Sequence, residues 1–288
     1  MSCKSFGIVI FLFALVPTLS AGEVKIRHES KLVYAKAGDI ELQLDIMWPA
    51  DGKGPYSAVV CIHGGGWRGG SRHTLQPVIE QFAKNKFVAI TISYRFAPTH
   101  RFPAQVEDAK AAVRWLRANA DKYKINPDKI GAMGFSAGGH LACMLGAADE
   151  SAGFEGNGGN PKFSTKIQAV VSFFGPTDFV EKNWTDDVEN IFLIPFLGAT
   201  YKEKKDLYRQ CSPIVYCKKG APPFLFFHGS KDPLVGIDHS EKMVKSLREV
   251  GASAELITMP GDGHGWGGDK LKMTINQSLN FFKDKLQK

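Results

Sequence analysis

Short apolar runs recur along this chain, and segments whose apolar positions fall three or four residues apart separate them. Ala58–Ile62, Phe87–Ile92, Lys129–Met133, Ile167–Phe174, Phe224–Phe227 and Ala254–Met259 are the runs, each with the length of a strand. Between them, Leu75–Lys84, Ala104–Ala120, Asp238–Val250 and Leu271–Leu286 have helical spacing. In the second of these, Val106, Ala109, Val113 and Leu116 fall on one helical face. Gly251 stops the third. Residues 32–48 alternate instead, as in Ile40-Glu41-Leu42-Gln43-Leu44-Asp45-Ile46, which predicts an antiparallel hairpin at a sheet edge. Strands without polar alternation must be covered on both faces. The pattern therefore predicts an α/β protein with a mainly parallel sheet and helices on both sides.

Two segments interrupt the alternation. Gly153–Asn160 is rich in Gly and Asn and reads as a surface loop. Residues 179–208 are irregular but carry Trp184, Phe192, Phe196 and Leu197, so they are expected to form a small cap. No repeat or linker divides the chain, and residues 22–288 read as a single domain. At the start, Lys4, the apolar stretch Phe6–Val16 and the small residues of Pro17-Thr18-Leu19-Ser20-Ala21 read as a signal peptide over 1–21. That stretch is too short to span a bilayer, and Gly22 stands where a lipoprotein would need Cys. A secreted or periplasmic protein without stable membrane insertion is expected.

The 288 residues are 44% hydrophobic and 23% charged, an ordinary globular composition. Net charge is +7, and +6 without Lys4, but acids interleave the bases, as in Lys202-Glu203-Lys204-Lys205-Asp206. That is a solvated mixed surface rather than a nucleic-acid patch. Cys61 and Cys143 lie in apolar elements and read as buried thiols. Cys211 and Cys217 are near enough in sequence to form a small disulfide in an oxidising compartment. No Cys/His spacing suits a metal, and no cofactor is implied. Asn183-Trp184-Thr185 and Asn276-Gln277-Ser278 are glycosylation sequons, meaningful only in a eukaryotic secretory pathway.

The chemistry concentrates where strands end. Gly134-Phe135-Ser136-Ala137-Gly138-Gly139 follows one apolar run and precedes the helical His140–Leu145. Strand, Gly-x-Ser-x-Gly and helix together make a nucleophile elbow, with the Ser136 hydroxyl lifted above the sheet. A serine nucleophile needs a base, an acid to orient it and donors for the oxyanion. His264, in Gly261-Asp262-Gly263-His264-Gly265-Trp266, follows a later run and is the candidate base. Asp232, in His228-Gly229-Ser230-Lys231-Asp232, is the candidate acid, with Asp178 in reserve; Asp262 is too near His264 in the chain. His63-Gly64-Gly65-Gly66-Trp67 follows the first buried run. The N–H groups of Gly65 and Gly66, with that of Ala137, are the candidate oxyanion hole. His63 itself reads as structural. Trp67 and Trp266 flank these loops and are candidates to stack on a substrate ring or, equally, to pack the loops.

These motifs, with Tyr94-Arg95-Phe96-Ala97-Pro98 and Phe102-Pro103-Ala104, resemble the hormone-sensitive-lipase-like esterase group of α/β-hydrolases. More narrowly, the chain resembles the bifunctional acetyl xylan/feruloyl esterase-like branch. Phe154-Glu155-Gly156-Asn157-Gly158-Gly159-Asn160, Phe173-Phe174-Gly175-Pro176-Thr177-Asp178, and Ser212-Pro213 ahead of Pro222-Pro223-Phe224 carry that likeness. It extends from about residue 30 to the end. Cys211 departs from it, since that branch usually has a small residue such as Ala before Ser-Pro. The resemblance implies a serine ester hydrolase for short acyl groups, acetyl esters of polysaccharide among them. A second departure concerns the large N-terminal cap of many lipase-like relatives, for which few residues precede the hairpin, so an open acyl pocket is expected. A peptidase or amidase with the same triad, and a non-catalytic binding protein on this scaffold, are the alternatives. The first has no room for a propeller before residue 55; the second usually lacks a triad member.

Overall fold

The computed structural model describes residues 24–288; the signal peptide read at 1–21 lies outside the described residues. Among them, one sheet holds β1 (Ile26–Ala37), β2 (Ile40–Pro49), β3 (Tyr56–Ile62), β4 (Val88–Ile92), β5 (Ile125–Phe135), β6 (Ala169–Phe173), β7 (Phe224–Gly229) and β8 (Ala254–Met259). Their order is β1-β2-β4-β3-β5-β6-β7-β8. The alternating segment is the β1–β2 hairpin, and β2 pairs antiparallel with β4. From β4 to β8 every pairing is parallel.

The helices are α1 (Gln76–Lys84), α2 (Ala104–Ala118), α3 (Ala120–Tyr123), α4 (Ala137–Ala147), α5 (Asp186–Val188), α6 (Ile194–Leu197), α7 (Lys205–Gln210), α8 (Asp238–Glu249) and α9 (Gly268–Leu286). Each parallel strand feeds both faces of the sheet. Val60 and Ile62 of β3 pack with Val106 and Val113 of α2, Leu141 of α4 and Met243 of α8. The intervening Val59 and Cys61 pack on the other face with Ile79 and Phe82 of α1 and Phe282 of α9. Burial of each such side chain contributes about 1.5–3 kcal/mol, which makes both faces obligatory for the apolar runs. The parallel strands share one polarity, so their carboxyl ends form one rim, where an α/β sheet binds its ligands.

The structure adds detail to two readings of the sequence. Residues 153–160 form an irregular, partly exposed loop, as read, but one pinned to α2. Arg114 of α2 is buried, and its guanidinium donates to Glu155 O at 2.8 Å and Gly159 O at 2.9 Å, and also to Gly158 O. The loop's carbonyls satisfy a buried cation, which Gly-rich composition alone does not reveal. Cys211 and Cys217 are free thiols. Cys211 Sγ lies 3.2 Å from Tyr208 O, and Cys217 Sγ lies 3.6 Å from Met243 Sδ on α8, so each faces its own neighbour.

In the irregular segment, α5 and α6 are joined by a π-helical turn over Glu189–Leu193. Pro195 has no N–H to donate four residues back, to Ile191 O. The Arg68 guanidinium donates to that carbonyl, tying the segment to the loop after β3.

Candidate active site

Ser136 sits between β5 and α4 at φ +53° and ψ −119°, a conformation costly for a residue with a Cβ. The residues two positions to either side, Gly134 and Gly138, are glycines because nothing else fits. A Cβ on Gly134 would lie 2.1 Å from Gly138 O, and one on Gly138 would lie 2.1 Å from Ile62 O. Ser136 N–H donates to Phe173 O at 2.8 Å, fixing the elbow to the end of β6.

Three loops converge on this hydroxyl. Ser136 Oγ donates to His264 Nε2 at 2.8 Å, and His264 Nδ1–H donates to Asp232 Oδ2 at 2.7 Å. The Asp232 side chain is fully buried, while that of His264 is 18% exposed. Burial alone would raise the Asp232 pKa. Contacts with His228 and His264 and the Val235 N–H outweigh it and hold the carboxyl well below the usual range. Its other oxygen accepts from Leu234 N–H at 2.9 Å and Val235 N–H at 3.0 Å.

His228 escaped the sequence reading, although it stands in the quoted motif of Asp232. It is buried at the end of β7; its Nδ1 accepts from Ser240 Oγ at 2.7 Å and its Nε2 donates to Val235 O at 2.8 Å. Nε2 also lies 3.4 Å from Asp232 Oδ2, so His228 braces the turn that aims the carboxylate.

The candidate oxyanion donors border the same cleft as the Ser136 hydroxyl. Gly65, Gly66, Ala137, Ser136 and His264 line one cleft of about 420 Å³. Ala137 opens α4, so its N–H has no partner inside the helix and sits at the helix's positive end. His63 is held within its loop, with Nδ1 2.7 Å from Gly64 O and its ring stacked on Tyr94. Apart from the imidazole of His239 and the indole of Trp67, the rest of the wall is apolar or aromatic: Pro176, Phe179, Trp184, Val188, Phe192, Leu193, Leu234 and Val235. Six of these, from Pro176 to Leu193, belong to the segment between α4 and α7, which thus forms one side of the cleft.

The candidate substrate residues fare differently. Trp67 borders the cleft but is only 3% exposed. Its ring stacks on Phe196 at 4.2 Å, and its Nε1 donates to His140 Nδ1 at 3.2 Å. It packs the loop rather than offering a free face. Trp266 does not reach the cleft. It packs edge-on against Phe174, which in turn touches His264, and its Nε1 donates to Thr274 Oγ1 at 3.1 Å. Asp178 does not line the cleft and does not face His264. Its carboxylate accepts from Val180 N–H at 3.0 Å and from Lys242 Nζ at 3.2 Å. As reserve acid or substrate residue it is therefore withdrawn, because its side chain turns towards α8.

Two further histidines were invisible to motif reading. His140 of α4 is fully buried; it accepts from Trp67 at Nδ1 and donates from Nε2 to Cys211 O at 2.7 Å. It links the glycine loop, α4 and the segment after α7. His239 of α8 is 4% exposed and lines the cleft. Burial lowers both pKa values to about 4.

The BD-FAE family pattern matches residues 44–247. The chain is 31% identical over 247 residues to the Mycobacterium tuberculosis Esterase LipC, covering 83% of this chain and 60% of that protein. The share of the relative is 52% for the Probable carboxylic ester hydrolase LipM of the same organism, so the chain spans a little over half of such proteins. A "Bifunctional GH43-CE" from Bacteroides eggerthii superposes with a TM-score of 0.81 at 32% identity, over 89% of this chain and 38% of that one. A "Truncated form of carbohydrate esterase from gut microbiota" superposes with a TM-score of 0.83 at 28% identity, over 93% and 99%. Sheet order, elbow and these likenesses agree: the chain has the α/β-hydrolase fold and belongs to the BD-FAE family.

Proposed function

We propose that this protein is an exported serine carboxylic ester hydrolase acting on short-chain esters, acetyl groups on polysaccharide foremost. The observation that carries the reading is the continuous relay Ser136 Oγ–His264–Asp232, at 2.8 and 2.7 Å, opening into a cleft bordered by Gly65, Gly66 and Ala137. In this reading Ser136 Oγ attacks the ester carbonyl as its proton passes to His264 Nε2. The ionised Asp232 stabilises the resulting imidazolium. The N–H groups of Gly65, Gly66 and Ala137 hold the oxyanion, each donor contributing about 3 kcal/mol to the transition state. His264 then protonates the departing alcohol, and water, deprotonated by the same imidazole, releases the acid.

The likeness to the gut-microbiota carbohydrate esterase and to the bifunctional GH43-CE protein supports the polysaccharide substrate. The leader read at 1–21 supports export. The test is hydrolysis of p-nitrophenyl esters from acetate upward, with Ser136→Ala alongside, followed by acetate release from acetylated xylan. Fast acetate turnover abolished by the substitution is expected. Turnover that survives it overturns the nucleophile, and xylan left acetylated by an otherwise active enzyme overturns the polysaccharide.

A further inference from the structure

Apart from Ser136 and His264, His239 is the only described side chain lining the cleft that is neither apolar nor an indole. The two indoles offer no donor there. Trp67 Nε1 is engaged by His140, and Trp184 Nε1 is buried away from the cleft surface. His239 is fixed by the Gly175-Pro176-Thr177-Asp178 turn. Its Nδ1 accepts from Thr177 N–H at 3.2 Å and Asp178 N–H at 3.1 Å, and Thr177 Oγ1 donates to His239 O at 2.6 Å. Two amide donors on Nδ1 require its lone pair, so the proton of the neutral ring sits on Nε2. Among the described residues, Nε2 has no hydrogen-bond partner.

We propose that His239 Nε2–H is a built-in hydrogen-bond donor for an uncharged substrate oxygen, an ether or hydroxyl, making His239 a specificity-determining residue. The inference rests on the ester-hydrolase reading and deepens it. A donor fixed in an apolar wall discriminates by penalty as much as by attraction. An ester that covers it with hydrocarbon strips its water and gives nothing back, whereas one with an oxygen there pairs it. With its Nδ1 occupied and its ring buried, the imidazole stays neutral and offers no charge to an anionic group. The cleft therefore selects oxygenated, uncharged esters over alkyl esters of equal length.

The test uses matched pairs. On the acyl side, p-nitrophenyl methoxyacetate differs from p-nitrophenyl butyrate by one oxygen in place of a methylene. On the alcohol side, tetrahydropyran-2-ylmethyl acetate differs likewise from cyclohexylmethyl acetate. The readout is the ratio of kcat/KM within each pair, for the wild type, His239→Phe and His239→Gln. Taking the change in ratio cancels the intrinsic reactivity of the esters and any general loss from a disturbed 175–178 turn. In His239→Phe one pair's ratio is expected to fall about tenfold, as for one hydrogen bond. His239→Gln, which can accept from the turn and still donate, is expected to restore most of it. The pair that responds tells which end of the ester faces His239. Ratios unchanged in both pairs overturn the proposal. If His239→Phe does not fold, nitrogen-15 spectra of the wild-type imidazoles decide, since a protonated Nδ1 on His239 removes the donor. A wild type that turns over none of the four esters overturns the ester-hydrolase reading itself, a result distinct from unchanged ratios.

Discussion

His264 and His239 both line the cleft, and each lies near an aspartate that follows a strand: Asp232 after β7 and Asp178 after β6. They differ in what faces Nδ1. For His264 it is the Asp232 carboxylate at 2.7 Å, an acceptor that grows stronger as the ring becomes positive. For His239 it is the backbone N–H groups of Thr177 and Asp178, which a protonated Nδ1 would oppose. The Asp178 carboxylate turns instead to Lys242. One imidazole can therefore accept a proton and pass it on, while the other is locked as a neutral donor. Nearness of His to Asp does not make a base; the atom facing Nδ1 does.

The strongest way to break the comparison is to remove its targets in turn. Ser136→Ala is expected to lower kcat by at least about 10⁴-fold with the fold intact, read by ester hydrolysis and circular dichroism. Asp232→Asn is expected to cost about 10³- to 10⁴-fold in kcat, because an amide neither fixes the tautomer nor stabilises the imidazolium. Asp178→Asn is the control. It loses one partly exposed pairing with Lys242 and should keep kcat within about threefold. A large loss in Asp178→Asn with a small one in Asp232→Asn would invert the assignment.

The same contrast explains what could be read from the sequence. The sheet was legible because its strands are apolar on both faces, and Val59 and Val60 of β3 must each find a helix. Ser136, Asp232, His264 and the glycine loop were legible because each follows a strand of a parallel sheet, so topology alone brings them to one rim. The side chains of Trp67, Trp266 and Asp178 were not, since loop membership says nothing of where a side chain points. His140, His228 and His239 were missed for a related reason. His140 and His239 owe their roles to backbone partners distant in sequence, Cys211 O for His140 and the N–H groups of Thr177 and Asp178 for His239. No motif encodes that. His228 alone had a signal, four residues before Asp232 in the same turn.

The locked histidines should also mark the acid limit of stability. The folded pKa of His140 is about 4, below the 6.5 of an unperturbed ring, because burial disfavours the charged form. The unfolded chain thus binds the extra proton first. This stabilisation is complete above pH 6.5 and is lost as pH falls from there towards 4, by on the order of 1 kcal/mol per pH unit. His239 adds a second loss in the same window. His140→Gln is expected to be less stable than the wild type by about 1–3 kcal/mol at pH 7, from disturbed hydrogen bonds to Trp67 and Cys211. The gap should narrow by pH 5, as read from urea unfolding. A gap that stays constant between the two pH values would mean that His140 is not held neutral.

The smallest effect is expected at the cysteines, and it probes the same locking. Cys211 O accepts from His140, so the position of residue 211 is part of what holds that ring. A bond to Cys217 would draw Sγ of Cys211 from Tyr208 O and Sγ of Cys217 from Met243, straining the chain that carries this carbonyl. The folded protein is therefore expected to keep both thiols under air. Alkylation in denaturant without reductant should label Cys61, Cys143, Cys211 and Cys217, and reductant should shift the Tm by less than about 1 °C. A disulfide between residues 211 and 217 found by peptide mapping, with a Tm that falls on reduction, would show that His140 tolerates a displaced acceptor. Its neutrality would then rest on burial alone.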